Sequence, residues 1–299
     1  MASFTNQAVL SYNGGSVASN VVTGQLVSPL TVTKTAIVDS YSANDSVTYV
    51  VSIVNAGSAC YDSLTLTDDL GGYAAAGQTV YPLRYVEGSA AWFLNGTPQG
   101  DPGVTAGPPL VITGISVPAG GNAIVMYEAA TTPAAPLAAD SEITNTVTVT
   151  GSSIGTPLTA EAVITVTNGA DLSISKSLSP ATVEENGQLT YTFVIRNSGN
   201  AAAGADANLV ITDTFDPILK NLTVTLNGAP KAAGTGYTYN AATGAFATVA
   251  GQITVPAAAY AQSTQTGEWQ VLPGETTVTV TLPEMTRPAF AARLRFEER

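Results

Sequence analysis

Three short stretches in the first half of the chain recur in the same order in the second half. TVTK at 31–34 matches SISK at 173–176, TYVVSIVNAG at 48–57 matches TYTFVIRNSG at 190–199, and LTLTDD at 64–69 matches LVITDT at 209–214. Within these stretches apolar and polar residues alternate, which is typical of half-buried β-strands. A repeated series of strands indicates two copies of one unit, so we predict an all-β protein with two tandem β-sandwich domains.

The composition supports this fold class and excludes several functions. Of the 299 residues, 45% are apolar, which is ample for two packed cores, and only 11% are charged. The net charge of −12 argues against binding to nucleic acid or to an anionic membrane, because both need a positive surface. The chain has no histidine, so histidine-based triads and most zinc sites are excluded, and we expect no cofactor. The one cysteine, Cys60, is either a small strand or loop residue or a site of intermolecular pairing.

The N-terminal stretch looks like the end of a domain placed before its beginning. FTNQAVLSYNGGSVASNVVTGQLV at 4–27 and ITNTVTVTGSSIGTPLTAEAVITV at 143–166 share an apolar residue, Thr-Asn, an alternating strand, a Gly/Ser turn and a second strand. The later copy closes the first unit. In the second unit no such pair follows PGETTVTVTL at 273–282, which we match to PAGGNAIVMY at 118–127. We therefore predict an N-terminal donor β-hairpin at 1–28, a complete sandwich at 29–168, and a sandwich at 169–299 that lacks its last two strands.

These motifs together resemble a known family. They are a strand that ends in Lys, a Thr-Tyr strand that ends in Asn-x-Gly, a Thr-Asp element and a closing Thr-Asn strand. The combination is similar to the bacterial Ig-like conserved-repeat domain family (domain of unknown function, number eleven), which occurs in tandem in surface fibre proteins and in spore-appendage proteins. The resemblance covers nearly the whole chain. It implies two Ig-like β-sandwich domains with a structural role.

Strand parity places a lysine, an aspartate and an asparagine on the inward face of the first domain. Lys34, Asp68 and Asn145 each alternate with apolar residues, and so do Lys176 and Asp213 in the second domain. Burying a lysine is costly unless it is paired or neutralised. Since two of the four lysines occupy this one equivalent position, we expect the constellation to have a role.

Three interpretations of this constellation remain open. As in related Ig-like pilin and adhesin domains, Lys34 and Asn145 would form a spontaneous isopeptide bond promoted by Asp68. Burial would lower the pKa of the lysine and favour the protonated form of the aspartate. The first alternative is a buried Lys–Asp ion pair with the asparagine hydrogen-bonded alongside. The second is a lysine at a strand end that extends its ammonium group to solvent.

The unmatched hairpin suggests how copies of the chain would assemble. If it completes the second domain of the next chain, Phe4, Asn6, Ala8 and Leu10 would face that core, and Asn6 would meet Lys176 and Asp213. We predict a head-to-tail homopolymer, the structural subunit of an extracellular or spore-surface filament. The alternative is a monomeric adhesin or spacer whose hairpin folds back on its own second domain. An enzyme is not expected beyond the autocatalytic bond formation.

Other features carry less specific signals. The N-terminus lacks the pattern of a signal peptide, so we expect synthesis in the cytoplasm and release to the spore or cell surface by lysis. Acidic clusters at 68–69, 184–185 and 213–216 lack the spacing of a dedicated calcium loop. Four arginines near the C-terminus indicate a solvated end or a docking latch: Arg287, Arg293, Arg295 and Arg299.

Overall fold

The computed structural model describes residues 2–26, 29–184, 187–216 and 218–283. Within this part of the chain the secondary structure is β-strand apart from one short 3₁₀ helix at Ala205–Ala207. Contacts divide the chain into two units, Met1–Ala135 with Glu142–Thr165, and Pro136–Ser141 with Val166–Arg299. No helix in the described ranges has the length and apolar character that a membrane span needs. The protein is all-β, as the alternation predicted.

The N-terminal segment forms a β-hairpin whose strands pair only with each other among the described residues. Its four strands are β1 (Ala2–Asn6), β2 (Val9–Tyr12), β3 (Gly15–Ala18) and β4 (Val22–Leu26). β1 pairs with β4 and β2 with β3, around a turn at 13–14. Asn6 faces Val22 and Val9 faces Ala18, so the second arm carries one extra residue between these pairs. This is a β-bulge, which increases the local twist of the hairpin.

The first sandwich consists of two six-stranded antiparallel sheets and one small hairpin. Its strands are β5 (Leu30–Ala36), β6 (Ser40–Tyr41), β7 (Ser46–Asn55), β8 (Tyr61–Asp68), β9 (Tyr73–Ala75), β10 (Gln78–Val80), β11 (Leu83–Tyr85), β12 (Ala91–Leu94), β13 (Thr97–Pro98), β14 (Gly103–Thr105), β15 (Leu110–Val117), β16 (Asn122–Thr131), β17 (Glu142–Thr150) and β18 (Leu158–Val166). One sheet has the order β13-β12-β16-β7-β5, with β11 also on β16, and the other has the order β14-β15-β8-β17-β18-β6. In β7, β16 and β17 buried residues alternate with partly exposed ones, so the core lies between the sheets.

The second unit repeats most of this arrangement. Its strands are β19 (Leu172–Ser179), β20 (Leu189–Asn197), β21 (Thr212–Thr214), β22 (Thr223–Leu226), β23 (Ala229–Lys231), β24 (Tyr237–Asn240), β25 (Ala245–Thr248), β26 (Ala259–Gln262), β27 (Trp269–Leu272) and β28 (Gly274–Leu282). A five-stranded sheet has the order β19-β20-β28-β22-β23, and a three-stranded sheet has the order β21-β25-β24. β26 and β27 form a separate hairpin.

The two units differ at one edge of the sheet that contains β8 in the first unit and β21 in the second. The order β19-β20-β28-β22-β23 repeats β5-β7-β16-β12-β13, and β21-β25-β24 repeats β8-β15-β14. In the first unit β8 lies between β15 and β17, so Asp68 faces Leu110 on one side and Val147 on the other. In the second unit β21 pairs only with β25, and no described strand occupies the position of β17 or β18. One edge of β21 therefore presents backbone groups that pair with no other strand in the part of the chain that the structure describes.

The strand pairing corrects one part of the sequence match. We aligned 118–127 with 273–282, which places Tyr127 on Leu282. In the sheets Tyr127 faces Tyr49, whereas the residue that faces the equivalent Tyr191 is Val280. The sequence match was two residues out of register because both strands alternate, and a shift of two keeps every side chain on the same face.

A buried asparagine fixes the loops at the end of β7. The Asn55 amide donates to the carbonyls of Ala59 (2.7 Å) and Pro118 (2.9 Å), and its Oδ1 accepts from Gly57 N at 2.9 Å. Asn197 makes the corresponding bonds at the end of β20. The Asn-x-Gly motif at the end of each Thr-Tyr strand is therefore a loop anchor that pairs backbone groups which a sheet leaves unpaired.

Replacing this anchor should destabilise the first sandwich. We expect Asn55→Ala to lower the free energy of unfolding by roughly 2–4 kcal/mol, since each buried group left without a partner costs about 1–3 kcal/mol. Chemical denaturation measures the change. Asn122→Ala, at a half-exposed position of β16, is the control and should change stability by less than about 0.5 kcal/mol. Equal effects of the two substitutions would contradict the anchoring role.

Candidate functional site

Three polar side chains are buried in the core of the first sandwich, as their parity predicted. Lys34 on β5 and Asp68 at the end of β8 form an ion pair, with Nζ and Oδ2 2.6 Å apart and side chains only 0% and 3% exposed. Asn145 on β17 is fully buried. β17 pairs with β8 so that Val147 faces Asp68. Asn145 lies two residues before Val147, on the same side of β17. The Lys–Asp part of the constellation is thus an inward ion pair and not a lysine that extends to solvent.

Two tyrosines complete the polar cluster, and the sequence reasoning missed both. Tyr127 on β16 donates its hydroxyl proton to Asp68 Oδ2, and the Asn145 Nδ2 donates to Tyr127 Oη at 3.5 Å. Tyr49 on β7 stacks on Tyr127 with ring centroids 5.6 Å apart, and Lys34 Nζ lies 4.8 Å from the Tyr49 centroid. The signal was available: both tyrosines alternate with apolar core residues, so parity alone places their hydroxyls inside.

Burial controls the protonation of this cluster. Desolvation lowers the pKa of the Lys34 amine, against the opposing pull of Asp68. Desolvation, followed by the Asp68 charge, raises the pKa of Tyr127 well above its ordinary value. Burial also raises the pKa of Tyr49. Within the described residues, Tyr49 Oη and Asn145 Oδ1 are buried without a hydrogen-bond partner. The site thus combines an amine whose pKa is lowered by burial with an amide oxygen that has no hydrogen-bond partner among the described residues.

The second unit contains the same lysine–aspartate pair in an open setting. Lys176 Nζ lies 2.5 Å from Asp213 Oδ2, and it stands 4.8 Å from the ring centroid of Tyr191, as Lys34 does from Tyr49. The side chains are 41% and 18% exposed, however, so the burial that parity predicted does not hold for Lys176. The reason is that no described strand covers this face where β17 and β18 cover it in the first unit.

The uncovered surface extends along the whole of β19. All eight residues of this strand are exposed, including the apolar side chains that share a face with Lys176: Leu172, Ile174 and Leu178. In β5 of the first unit the corresponding Leu30 is 4% exposed. We call the inward side chains of β19 and the free edge of β21 the acceptor face. An exposed apolar strip next to an unpaired strand edge indicates an interaction surface.

The N-terminal hairpin also exposes apolar side chains, because among the described residues its strands pair only with each other. Phe4 is 62% exposed and Leu10 70%, and they share one face of the hairpin with Asn6 and Ala8. The Phe4 ring lies across Gly24, the residue it faces in β4. Asn6 faces Val22 as Asn145 faces Ala162 in the β17–β18 hairpin. All four predicted assembly and crosslinking residues of the hairpin are therefore exposed in the single chain.

The remaining predicted features are Cys60, the acidic clusters and the C-terminal arginines. Cys60 is exposed, with Sγ 3.5 Å from Asp62 Oδ2. The acidic clusters do not gather into a metal-binding group within the ranges that the structure covers. The four arginines of the predicted C-terminal latch lie outside the described residues.

Comparison with known proteins gives distant likenesses only. No protein-family model matches the chain, and no curated protein matches it either. Among solved structures, a variant of BcpA, the major pilin subunit of Bacillus cereus, is 12% identical with a TM-score of 0.36, over 65% of this chain and 61% of that one. RrgB, the pilus backbone of Streptococcus pneumoniae, is 12% identical with a TM-score of 0.33, over 82% and 55%.

A third likeness is to the collagen-binding subdomain of the Enterococcus faecalis surface protein ACE. It is 11% identical with a TM-score of 0.30, over 48% of this chain and 100% of the subdomain. The chain thus spans less than two thirds of the length of the two pilins. At such low identities and TM-scores, the function of this chain has to be inferred from its own residues.

The buried tyrosines predict a loss of stability at alkaline pH. The unfolded chain releases phenolic protons near pH 10.0, whereas Tyr49 and Tyr127 hold theirs to higher pH in the folded chain. Above that pH the unfolded state binds fewer protons, so the free energy of unfolding should fall as the pH rises. Tyr49→Phe should reduce this slope in urea denaturation series, and Tyr12→Phe on the exposed hairpin should not.

Lys34 acts in the opposite direction, because its pKa lies below the ordinary 10.5 in the folded chain. Its contribution is common to both tyrosine variants and cancels when their slopes are compared. An unchanged slope in Tyr49→Phe would contradict the burial of that hydroxyl.

Proposed function

We propose that the chain is the structural subunit of an extracellular or spore-surface filament, in which each N-terminal hairpin completes the second domain of the next chain. One observation carries this proposal. The second domain exposes an acceptor face at the position where β17 and β18 complete the first, and the same chain exposes a hairpin with the matching pattern. Addition of a strand to a free sheet edge is an established mode of recognition, in which backbone hydrogen bonds give affinity.

The register of the first domain supports one arrangement of the donated hairpin. Val147 faces Asp68 across the β17–β8 pair. If β1 and β2 pair with β21 in the same way, Ala8 faces Asp213 and Asn6 takes the place of Asn145. Phe4 and Leu10 then lie inward, over the apolar side chains of β19. At about 25 cal/mol per Å² of buried apolar surface, covering these exposed side chains provides the driving force for donation.

The topology of the first sandwich favours donation to another chain. Pro29 O accepts a hydrogen bond from Ala56 N at the end of β5 where the hairpin is attached. The chain leaves this sandwich at Thr165, whose N donates to Asp39 O beyond the other end of β5. The connection at 27–29 spans at most about 10 Å, whereas a strand as long as β7 measures about 30 Å. Attachment of the donor at one end and exit at the other suits head-to-tail assembly, a heterologous contact that repeats without closing.

The polar pair on the acceptor face supports a covalent lock. Donation would bring the Asn6 amide to Lys176 and Asp213, and it would bury the lysine as Lys34 is buried. A neutral lysine amine attacks the amide carbon, ammonia leaves, and an isopeptide bond joins the two chains. The same reaction between Lys34 and Asn145, promoted by Asp68, would lock the first domain. A filament with both bonds resists denaturants because each subunit is a covalent link.

The covalent assembly predicts multimers that survive boiling. Wild type on a denaturing gel should give a ladder in steps of the 30.3 kDa chain. Asn6→Ala, Lys176→Ala and Asp213→Ala should each collapse the ladder to monomer, because each removes one member of the inter-chain reaction.

Lys34→Ala is the matched control, since it removes the equivalent lysine of the first domain and should leave the ladder intact. A ladder that survives Asn6→Ala, or wild type that runs only as monomer after boiling, would contradict the covalent filament. In the second case, filaments that dissolve on boiling would retain non-covalent donation.

Donation itself predicts competition by the free hairpin. A synthetic peptide of residues 2–26, added in excess to assembling wild type, should occupy acceptor faces and shorten the filaments seen by electron microscopy. The same peptide with Phe4→Ser and Leu10→Ser should have little effect, because it keeps the backbone and loses the inward apolar side chains. Filament lengths that respond equally to both peptides, or to neither, would count against donation through this face.

A further inference from the structure

Tyr127 occupies a position between the two groups that have to exchange protons in the first domain. Its hydroxyl donates to Asp68 Oδ2 and accepts from Asn145 Nδ2 at 3.5 Å, while Lys34 Nζ contacts the same Asp68 oxygen at 2.6 Å. The four groups form one chain of hydrogen bonds from amine to carboxylate to phenol to amide. Tyr127 is almost fully buried, at 1% exposure, so bulk water does not provide an alternative path at this point.

The chemistry of amide exchange needs such a path. A neutral amide nitrogen is a poor leaving group, and Nδ2 has to gain one proton to depart as ammonia. In the planar amide the lone pair of Nδ2 is delocalised, so this nitrogen donates a hydrogen bond. After the lysine attacks, the carbon becomes tetrahedral and Nδ2 becomes a basic amine, which accepts a proton from its neighbour. In the structure that neighbour is the Tyr127 hydroxyl and not the Asp68 carboxylate, whose Oδ1 instead accepts from Leu70 N at 3.1 Å.

We infer that Tyr127 is a catalytic residue of the Lys34–Asn145 bond, relaying the proton from Asp68 to the leaving nitrogen. The Lys34 ammonium first gives a proton to Asp68, and the neutral amine attacks Cγ of Asn145. Asp68 then passes its proton to Tyr127 Oη as Tyr127 passes its own to Nδ2. The Cγ–Nδ2 bond breaks, ammonia leaves, the carbonyl re-forms, and Asp68 takes the remaining extra proton from the lysine nitrogen. Tyr127 ends as it began, and no oxidant or cofactor is consumed.

The second domain lacks this relay, which has a consequence for assembly. Val280 stands where the register places Tyr127, while Tyr191 retains the position of Tyr49. This consequence rests on the proposed function: the Lys176–Asn6 bond would proceed without the phenol and more slowly than the bond in the first domain. Each subunit would then lock internally before it locks to its neighbour, so a misplaced hairpin could still dissociate.

The relay is tested by timing the first bond in newly made chains. Asn6→Ala removes the inter-chain reaction and serves as the background. Chains are pulse-labelled with heavy arginine in a cell-free translation, and intact mass is followed during a chase. The Asn6→Ala chain, which is the parent of the other variants, should lose about 17 Da as ammonia leaves. Tyr127→Phe, which keeps the ring and removes the hydroxyl, should slow this loss about 100-fold, a typical effect of general acid–base catalysis.

Tyr73→Phe is the matched control, because its hydroxyl bonds to Ala134 O in the same domain and not at the site. It should react at the parental rate. Protease resistance of the labelled chains shows whether each variant has folded. The parental rate should also fall in deuterated water, and this isotope effect should shrink in Tyr127→Phe, which a merely structural role would not cause.

Four outcomes overturn the relay. A folded Tyr127→Phe chain that reacts as fast as Tyr73→Phe, or that keeps the full isotope effect, refutes the role of Tyr127 and leaves the bond itself standing. If Tyr127→Phe does not fold, a parental rate that is insensitive to deuterated water refutes the relay. A parental chain that folds and never loses ammonia removes the Lys34–Asn145 reaction and the relay together, while the ladder still reports on assembly.

Discussion

The apolar inner face of each β-sheet has to be covered by a second layer, and the structure of this chain follows from how that need is met. In the first domain β17 and β18 complete the second layer, and Leu30 and Lys34 of β5 are buried beneath it. In the second domain the equivalent strand β19 is exposed along its full length, and one edge of β21 pairs with none of the described strands. The same sequence contains a hairpin whose apolar side chains are themselves exposed, and this is the element that we propose covers the acceptor face.

Burial by a second layer of strands also distinguishes the two lysine–aspartate pairs. Lys34 and Lys176 stand at the same distance from an equivalent tyrosine ring and contact an equivalent carboxylate. Burial lowers the pKa of the Lys34 amine, whereas the Lys176 side chain is 41% exposed. The reactivity of the second site would therefore depend on the arrival of a donor that excludes water and brings the amide, so that the covalent bond forms only in the assembled state.

Much of the fold and part of the site could be predicted from the sequence. Period-two alternation specified the strands, the repeat specified two domains, and parity placed Lys34, Asp68 and Asn145 inside. Parity could not foresee that Lys176 is exposed, because burial depends on a covering layer and not on the strand alone. It also could not fix the register of β28, since a shift of two residues preserves the alternation. Parity places the Tyr127 hydroxyl inside the core, but its partner depends on how the strands are paired, so the contact with Asp68 emerged only from the structure.

The measurement that tests this account most directly is mass spectrometry of filaments grown from an equal mixture of unlabelled and ¹⁵N-labelled subunits. Digestion should release a branched peptide in which Asn6 is joined to Lys176. If the hairpin is donated between chains, this peptide should include species with one labelled and one unlabelled arm, about as abundant as the two uniform species combined, as random pairing of the subunits requires. A branched peptide found only with both arms alike would show that the hairpin folds back on its own chain and would contradict the filament.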